Sequence, residues 1–528
     1  MKIWRIWLIA GIIFLSYTTL IFNVYNLQIT KGGYYSARAH SQSRSRDLLA
    51  ASRGKIYFTD KNGNRIPAAI NREFPVIFAV PKEIADAAEA AEALGPVLNL
   101  GTNHLKDLFS KPDDLYERLV EKASEEQVAA IKSLGIKGIY IDSENFRFYP
   151  FGSLASQLLG FVGPDDQGDV PEGRYGLEFF YEDALKKGKD VHLTVDVNIQ
   201  SQADKLLDGL VGEHRAAGGT VIVEDPKTGK ILAMANQPGF DPNDYGKFPL
   251  KSFLNPAVQS VYEPGSIFKV LTMSAGIDSE KITPQTTFYD TGSLTLNGKT
   301  IKNWDLKAHG TVSMTQVIEK SINTGAAFAE KKTGHDNFYN YLLKFGFNQP
   351  TSAGLPGEIT GTLRNLKSTF REINFANASF GQGVSVTPLQ LAAAISAIAN
   401  NGALMKPYLS AEENPETIRG VISAESARQV IKMMVSAVNK AEIARISGYE
   451  VAGKTGTAQI PDFKHGGYSS EYIHSYGGFA PASDPRFVIL IKLDKPQGAS
   501  LAGLTVVPAF RELAQFILNY YNIPADNL

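Results

Sequence analysis

The strongest patterning in the chain is an uninterrupted apolar run near its start. After Lys2 and Arg5, no charged residue occurs from Ile6 to Thr30, and the first seventeen positions of that stretch (IWLIAGIIFLSYTTLIF) are nearly all apolar. As a helix these residues rise ~37 Å, more than the roughly 30 Å of a bilayer's hydrocarbon core. The pattern predicts a transmembrane helix over residues 6–28 behind a cytoplasmic tail of residues 1–5, since Lys2 and Arg5 face no competing acid and the basic side stays inside. Two other readings fit less well. A signal peptide has an apolar run of about 7–15 residues closing on a small-residue site, whereas the A-x-A triplet Ala37-Arg38-Ala39 lies beyond Lys31. A buried core helix rarely opens a chain, and no later stretch is long and apolar enough to span.

Downstream the pattern changes character twice. Residues 41–187 mix short β-like runs (Lys55–Phe58, Phe74–Val80, Gly138–Ile141) with Ala/Glu-rich helical stretches at Glu83–Leu94 and Glu125–Leu134, and Asp60-Lys61-Asn62-Gly63-Asn64 reads as a turn. A break near Lys186-Lys187-Gly188-Lys189 opens a more regular region, residues 188–524. It begins with a strand, Val191–Val195, and a helix whose apolar face carries Ile199, Ala203, Leu206, Leu207 and Leu210. A hairpin follows: Thr220–Glu224, the turn Asp225–Gly229, then Ile231–Ala235. Helices are expected at Ser266–Ala275, Thr315–Lys331, Leu389–Asn400 and Ala424–Val438, strands at Tyr449–Ala458 and Phe487–Leu493, and a last helix at Ala509–Tyr520. Strands at both ends with helices between predict an α+β domain, an antiparallel sheet with a helical insertion.

Composition narrows the chemistry. With 53 Lys+Arg against 54 Asp+Glu there is no global basic field, so nucleic acid is not expected as a partner. The absence of cysteine in 528 residues excludes thiol nucleophiles, disulfide scaffolds and cysteine-ligated metal, and suits an oxidising space. Eight histidines form no HExxH or other ligand spacing, so neither a metal nor another cofactor is expected. Chemistry is left to Ser, Lys, Thr, Asn and carboxylates.

Ser266-Ile267-Phe268-Lys269 follows Pro264-Gly265, a helix-start signal that places Lys269 one turn from Ser266 on the same face. A lysine can take a serine proton only if burial or a second cation leaves it neutral. Spelling alone carries little weight here. Ser52-Arg53-Gly54-Lys55 is another S-x-x-K, Ser143-Glu144-Asn145 another S-x-N, and K-T-G begins at Lys227, Lys332 and Lys454. Context separates them: Lys227 lies in the hairpin turn, and Lys332-Thr333-Gly334 reads as a helix end with a glycine cap. Lys454-Thr455-Gly456-Thr457 sits instead in a strand-like run, where the two glycines, Gly453 and Gly456, have no hairpin to make and suggest close approach of something else to the backbone. A competing reading takes Gly448-x-x-x-x-Gly453-Lys454-Thr455 as a phosphate-binding P-loop, with Thr220–Asp225 as its acidic strand. Tyr449 and Val451 fill the supposed loop, however, and Gly456 falls where a helix should start.

In order, Ser266-x-x-Lys269, Ser321-Ile322-Asn323 and Lys454-Thr455-Gly456 form the serine acyltransferase set shared by β-lactamases and penicillin-binding proteins, at offsets of 55 and 188 residues from Ser266. With them the chain resembles the class B penicillin-binding proteins over nearly its whole length. The resemblance is carried by Arg53-Gly54-Lys55-Ile56 with Asp60–Gly63, Arg147-Phe148-Tyr149-Pro150, Leu159–Gly163 and Gly173–Glu178. It continues in Leu193–Asp196 with Gln200, Asn255-Pro256-Ala257, Glu263–Ser266, Gly381-Gln382-Gly383 with Thr387-Pro388, and Val451–Thr457. Lys61 and Pro67 depart from the family's more frequent Arg and Leu.

The resemblance implies a membrane anchor, an elongated β-rich pedestal domain (41–187) and a penicillin-binding transpeptidase domain (188–524), an antiparallel sheet flanked by helices with a helical subdomain. It implies peptidoglycan stem peptides ending in D-Ala-D-Ala as substrate and β-lactams as acylating mimics. Ser266 would be the nucleophile and Lys269 its base, Ser321 the proton relay to the leaving amine, and Asn323 a support for Lys269 and the substrate amide. Lys454 would supply positive potential, Thr455 and Thr457 hydroxyls for the substrate carboxylate, and Gly456 would belong with these two threonines to the substrate-binding strand. The backbone N–H groups of Ser266 and Thr457 would form the oxyanion hole. The implied partners are the membrane, a polytopic glycosyltransferase and other wall-synthesis or division proteins. His474–Pro481 looks more like the division type than the side-wall type. A β-lactamase or β-lactam sensor lacks a pedestal of this length, a bifunctional enzyme needs a further catalytic domain, and a purely structural subunit would not need the complete motif set.

Overall fold

The computed structural model describes residues 3–32, 35, 53–111, 114–165, 171–367, 371–462 and 464–526. Lys2, Ala37–Ala39 and Ser41–Ser52, on which parts of the sequence reading fall, lie outside them. The chain opens with helix α1, Ile3–Tyr25, which continues through a wider turn at Asn26–Thr30. Its residues are exposed, and the Ile3–Ile29 stretch is long and apolar enough to cross a membrane.

Strands β1 (Ile56–Thr59) and β2 (Ile66–Ala79) flank the Asp60 turn, in which the Asp60 carboxylate accepts hydrogen bonds from the backbone of Asn62 and Asn64. Contacts divide the chain into two compact units. The first includes residues 70–148. In it β2 pairs antiparallel with β3 (Glu117–Val120) and, over ten residues, with β4 (Ile139–Phe148). Helices α2 (Ala87–Leu98) and α3 (Glu125–Leu134) pack Ala91, Leu94 and Ile131 against Ile77 and Ala79 of the sheet. Helix α3 has the predicted bounds, set by a Ser124–Gln127 capping box and by Gly135 at φ +57°. Helix α2 starts four residues later than the apolar pattern suggests. Pro81 sits in a separate short turn, and the Asp86 carboxylate caps the helix by accepting from the N–H groups of Ala88 and Glu89.

The second unit covers residues 54–69, 149–163 and 172–528. There β1 pairs with the start of β2 and, parallel, with β5 (Val191–Asp196), which leads into α4 (Val197–Glu213). The unit's main sheet is antiparallel throughout. Along the chain it uses β6 (Gly218–Glu224), β7 (Ile231–Gln237) and three strands from its end, β12 (Ala452–Pro461), β13 (Tyr468–Ala480) and β14 (Phe487–Asp494). The spatial order is β12-β13-β14-β6-β7, so β12 is an edge strand. Among the short strands that precede those three in the chain are β8 (Thr287–Asp290), β9 (Ser293–Leu296), β10 (Lys299–Lys302) and β11 (Gly310–Ser313).

Helices fill the insertion between the sheet's two halves: α5 (Lys269–Asp278), α6 (Met314–Lys320), α7 (Asn323–Thr333), α8 (Pro388–Ala399) and α9 (Ala424–Ala441). The last helix, α10 (Val506–Tyr520), buries Phe510, Leu513 and Ile517 in a cluster with Tyr476, Ile489 and Ile491 of the sheet. All twelve residues of α8 are buried, although it is too short to span a bilayer.

Three further sequence expectations change in this unit. The single helix expected at Thr315–Lys331 is two helices, divided at Ser321-Ile322. The strand expected from Tyr449 starts at Ala452, because the Tyr449 hydroxyl is tied to the carbonyl of Ile523 and the Glu450 N–H to Asp526. The helix expected from Ser266 is a 3-10 turn, Gly265–Phe268, that runs into α5.

Candidate active site

Ser266 and Lys269 arise from one tight turn. Gly265 has φ +60°, and its N–H donates to the carbonyl of Gly381 at 3.1 Å. A side chain on Gly265 would press on Ala458 and the Thr457 backbone, so only glycine lets this turn lie against β12. Residues three apart eclipse in a 3-10 turn. The Lys269 amine accordingly folds back to 3.0 Å from the Ser266 hydroxyl. Ser266 is partly exposed, while Lys269 is fully buried.

Ser321 owes its place to the helix break. It ends α6 with φ +55°, and the N–H groups of Ser321 and Ile322 close back onto the carbonyls of Ile318 and Val317. Helix α7 then begins without a side-chain cap from its N-cap residue, Ile322. The Asn303 side chain supplies one, its oxygen accepting from the N–H groups of Asn323 (3.1 Å) and Thr324 (3.3 Å). Asn303 in turn donates to Asp290 at 2.8 Å, and Asp290 also accepts from the Thr324 hydroxyl at 2.6 Å. Burial raises the Asp290 pKa, but these bonds and those from the N–H groups of Gly292 and His309 outweigh it and leave the carboxyl below its usual range. Asp290 and Asn303 were not singled out from the sequence. The available signal was the run Ser321-Ile322-Asn323-Thr324, a cluster of weak helix formers in an otherwise helical stretch.

From these supports the side chains converge. The Lys269 amine lies 2.6 Å from the Ser321 carbonyl, 3.1 Å from the Ser321 hydroxyl and 2.8 Å from the Asn323 side-chain oxygen, besides its contact to Ser266. The Lys454 amine reaches the same Ser321 hydroxyl at 3.1 Å and the carbonyl and hydroxyl of Thr455 at 3.2 and 3.3 Å. Ser321 Oγ therefore bridges the two lysines. Lys454, 4% exposed, is not the solvated strand lysine that its spelling alone would suggest. Gly456 has a steric reason to be glycine, since a Cβ there would lie 2.5 Å from Ser475 Oγ and 2.7 Å from the Pro264 carbonyl. Thr455 and Thr457 are partly exposed on this edge strand. Because Lys454-Thr455 continues as a strand, the P-loop reading is incompatible with the fold.

The other look-alike triplets are set apart. Lys227 pairs with Asp484 in the β6–β7 turn, and Lys332 ends α7 with Gly334 as its cap. A cavity of about 170 Å³ lined by Gln157, Arg174, Phe253 and Leu355, among others, includes none of the converging residues. Among the described residues no cluster of His, Asp and Glu has the makings of a metal site.

The electrostatics follow from burial. Lys269 is pushed well below its ordinary pKa, first by desolvation and second by the charge of Lys454. Burial brings Lys454 down to about 7. Among the described residues neither lysine has a carboxylate partner to hold its proton. A hydrogen count then constrains the geometry. A neutral amine has two hydrogens and one lone pair, while the Ser321 carbonyl and the Asn323 amide oxygen can only accept. These two take the hydrogens of neutral Lys269, and its lone pair is left for a serine hydroxyl proton. A buried amine positioned to deprotonate Ser266 is the chemistry this arrangement affords.

Comparison with known proteins agrees with this geometry. Residues 219–515 match the model of the penicillin binding protein transpeptidase domain, and residues 48–203 that of the penicillin-binding protein dimerisation domain. The chain is 34% identical to the stage V sporulation protein D of Bacillus subtilis, covering 88% of this chain and 77% of that protein. It is 29% identical to the peptidoglycan D,D-transpeptidase FtsI of Escherichia coli, covering 99% and 93%. Among solved structures, a peptidoglycan synthetase from Bifidobacterium adolescentis superposes with a TM-score of 0.68 at 28% identity, covering 90% of this chain and 96% of that one. The chain belongs to the penicillin-binding protein transpeptidase family, as a class B member. It is accordingly a transpeptidase with a dimerisation-type domain ahead of its catalytic domain.

Proposed function

We propose that the chain is a peptidoglycan D,D-transpeptidase in which Ser266 attacks the carbonyl of the penultimate D-Ala of a stem peptide. The observation that carries this reading is the Ser266–Lys269–Ser321–Lys454 network, two buried lysines joined through serine hydroxyls. Ser266 Oγ forms the new ester bond as its proton passes to the Lys269 lone pair. The tetrahedral oxyanion is met by the backbone N–H groups of Ser266 and Thr457, a kind of donor whose loss typically costs ~10²–10³ in rate. When the C–N bond breaks, Ser321 passes a proton to the departing D-Ala amine. An amine from a second stem then attacks the ester, and the crosslink forms as Ser266 regains its proton. Asn323 holds Lys269 and the substrate amide. Lys454, Thr455 and Thr457 receive the terminal carboxylate, Gly456 lets their strand lie against the serine turn, and the edge position of β12 leaves room for an extended peptide to add alongside. β-Lactams follow the same first step and stop at the acyl-enzyme.

In this reading α1 anchors the protein by one pass with residues 1–5 in the cytoplasm, residues 41–187 form the pedestal and residues 188–524 the catalytic domain outside the membrane. The 474–481 segment favours septal wall synthesis, beside a polytopic glycosyltransferase that supplies the glycan strands. The test is incubation of the purified protein with a stem pentapeptide and an amine acceptor. Wild type is expected to release D-Ala and form the amide, and Ser266→Ala neither. Equal turnover by the variant would overturn the assignment.

A further inference from the structure

Resting on the reading that Thr457 meets the substrate carboxylate, we propose that the Ala502–Leu504 turn, held by Thr505 and His474, sets the direction of the Thr457 hydroxyl and so the preference for an anionic terminus. A hydroxyl has one proton and two lone pairs. If its proton is spent within the protein, it meets a carboxylate with a lone pair and repels it. If a protein N–H occupies a lone pair instead, the proton is left for the ligand. At Thr457 the second case holds. Its Oγ1 accepts from the N–H of Ala502 at 3.2 Å, and among the described residues none accepts its proton.

The donor is fixed from behind. Ala502 opens a 3-10 turn (Ala502–Leu504) and is buried. Thr505, 1% exposed, returns both its N–H (3.2 Å) and its hydroxyl (3.4 Å) to the Ala502 carbonyl. His474 Nδ1 lies 3.0 Å from the same hydroxyl. His474 is fully buried on β13, in register with Thr457 of β12, so the two side chains stand on one face of the sheet. Burial and, secondarily, the nearby His214 lower its pKa to about 4. The ring is therefore neutral and adds no charge beside the carboxylate site. Ala502, Thr505 and His474 are positioning residues, since none needs to touch the substrate.

The geometry supplies a narrow probe. Proline is tolerated at the first position of a helical turn, and the residue before it must be extended. Leu501 is extended, with φ −133° and ψ 139°. Ala502→Pro should therefore delete the donor N–H and keep the turn. The experiment compares steady-state kinetics on a stem peptide with a free terminal carboxylate and on the same peptide with a terminal amide, for wild type, Ala502→Pro, Thr505→Val, Thr505→Ser and His474→Leu. The expectation is a rise in KM of about tenfold for the carboxylate substrate in Ala502→Pro, Thr505→Val and His474→Leu, the size of one hydrogen bond to a charged group. Their kcat should stay within about twofold, the amide substrate should not respond, and Thr505→Ser should restore wild-type values. Unchanged KM in Ala502→Pro, or equal losses on both substrates, would overturn the proposal. A wild type that does not distinguish carboxylate from amide would instead overturn the underlying reading of Thr457.

Discussion

Two stretches of this chain share the letters Lys-Thr-Gly and differ in everything that chemistry depends on. At residues 227–229 the lysine is about half exposed and ion-paired with Asp484, and the threonine spends its proton on Asp225 at 2.7 Å. The glycine there turns the backbone at φ +84°, with the Lys406 carbonyl 2.2 Å from where a Cβ would lie. At residues 454–456 the lysine is buried and shares the Ser321 hydroxyl with Lys269, and the threonine hydroxyl accepts from that lysine. The glycine is needed there because the Pro264 carbonyl comes close. One triplet is a satisfied turn. The other keeps, among the described residues, a lysine without a carboxylate partner and hydroxyl protons available at a sheet edge, at the cost of burying a charge.

The largest expected separation comes from the lysines. Lys454→Ala should slow acylation by a β-lactam by about 10²–10³-fold, the scale of a lost electrostatic stabiliser. Lys227→Ala should leave the rate at wild type, because an exposed ion pair contributes little. Stopped-flow acylation of both variants checks this, and equal effects would erase the distinction. The glycines come next. Gly456→Ala forces β12 away from the serine turn and should cost between about tenfold and 10²-fold in acylation, since small displacements of reacting groups are that expensive. Gly229→Ala should lower stability by roughly 1–3 kcal/mol through backbone strain, read as a drop in Tm, with the acylation rate of the folded protein unchanged.

The smallest effect is in pH. Lys454 has a depressed pKa of about 7, so its charged form is present below that pH and lost as pH rises through it. The kcat/KM for a carboxylate-bearing substrate should fall about tenfold between pH 6.5 and 8. The corresponding limb in kcat should lie higher, because a bound carboxylate holds the proton on. A flat profile across this range would mean that Lys454 does not act through its charge.

The ease with which each region could be read in the sequence follows the same division. Helix α3, the β6–β7 hairpin and the Asp60 turn are decided by capping and turn residues within a few positions, so pattern alone places them. The offsets to Ser321 and Lys454 could be read as a motif, but not the reason those residues meet. Ser321 projects from a helix break that depends on Asn303, eighteen residues upstream, and on Asp290 behind it. Strand β13 and the small strands β8–β11 escaped notice because their glycine-rich or polar runs take their conformation from partners far along the chain. The Ala502 contact to Thr457 is likewise non-local.

The most direct measurement of the central claim is intact-mass spectrometry with peptide mapping after brief exposure to benzylpenicillin. The network predicts a single covalent adduct, placed on the peptide containing Ser266 and absent from Ser266→Ala. An adduct on another residue, or one that forms equally in the variant, would contradict it.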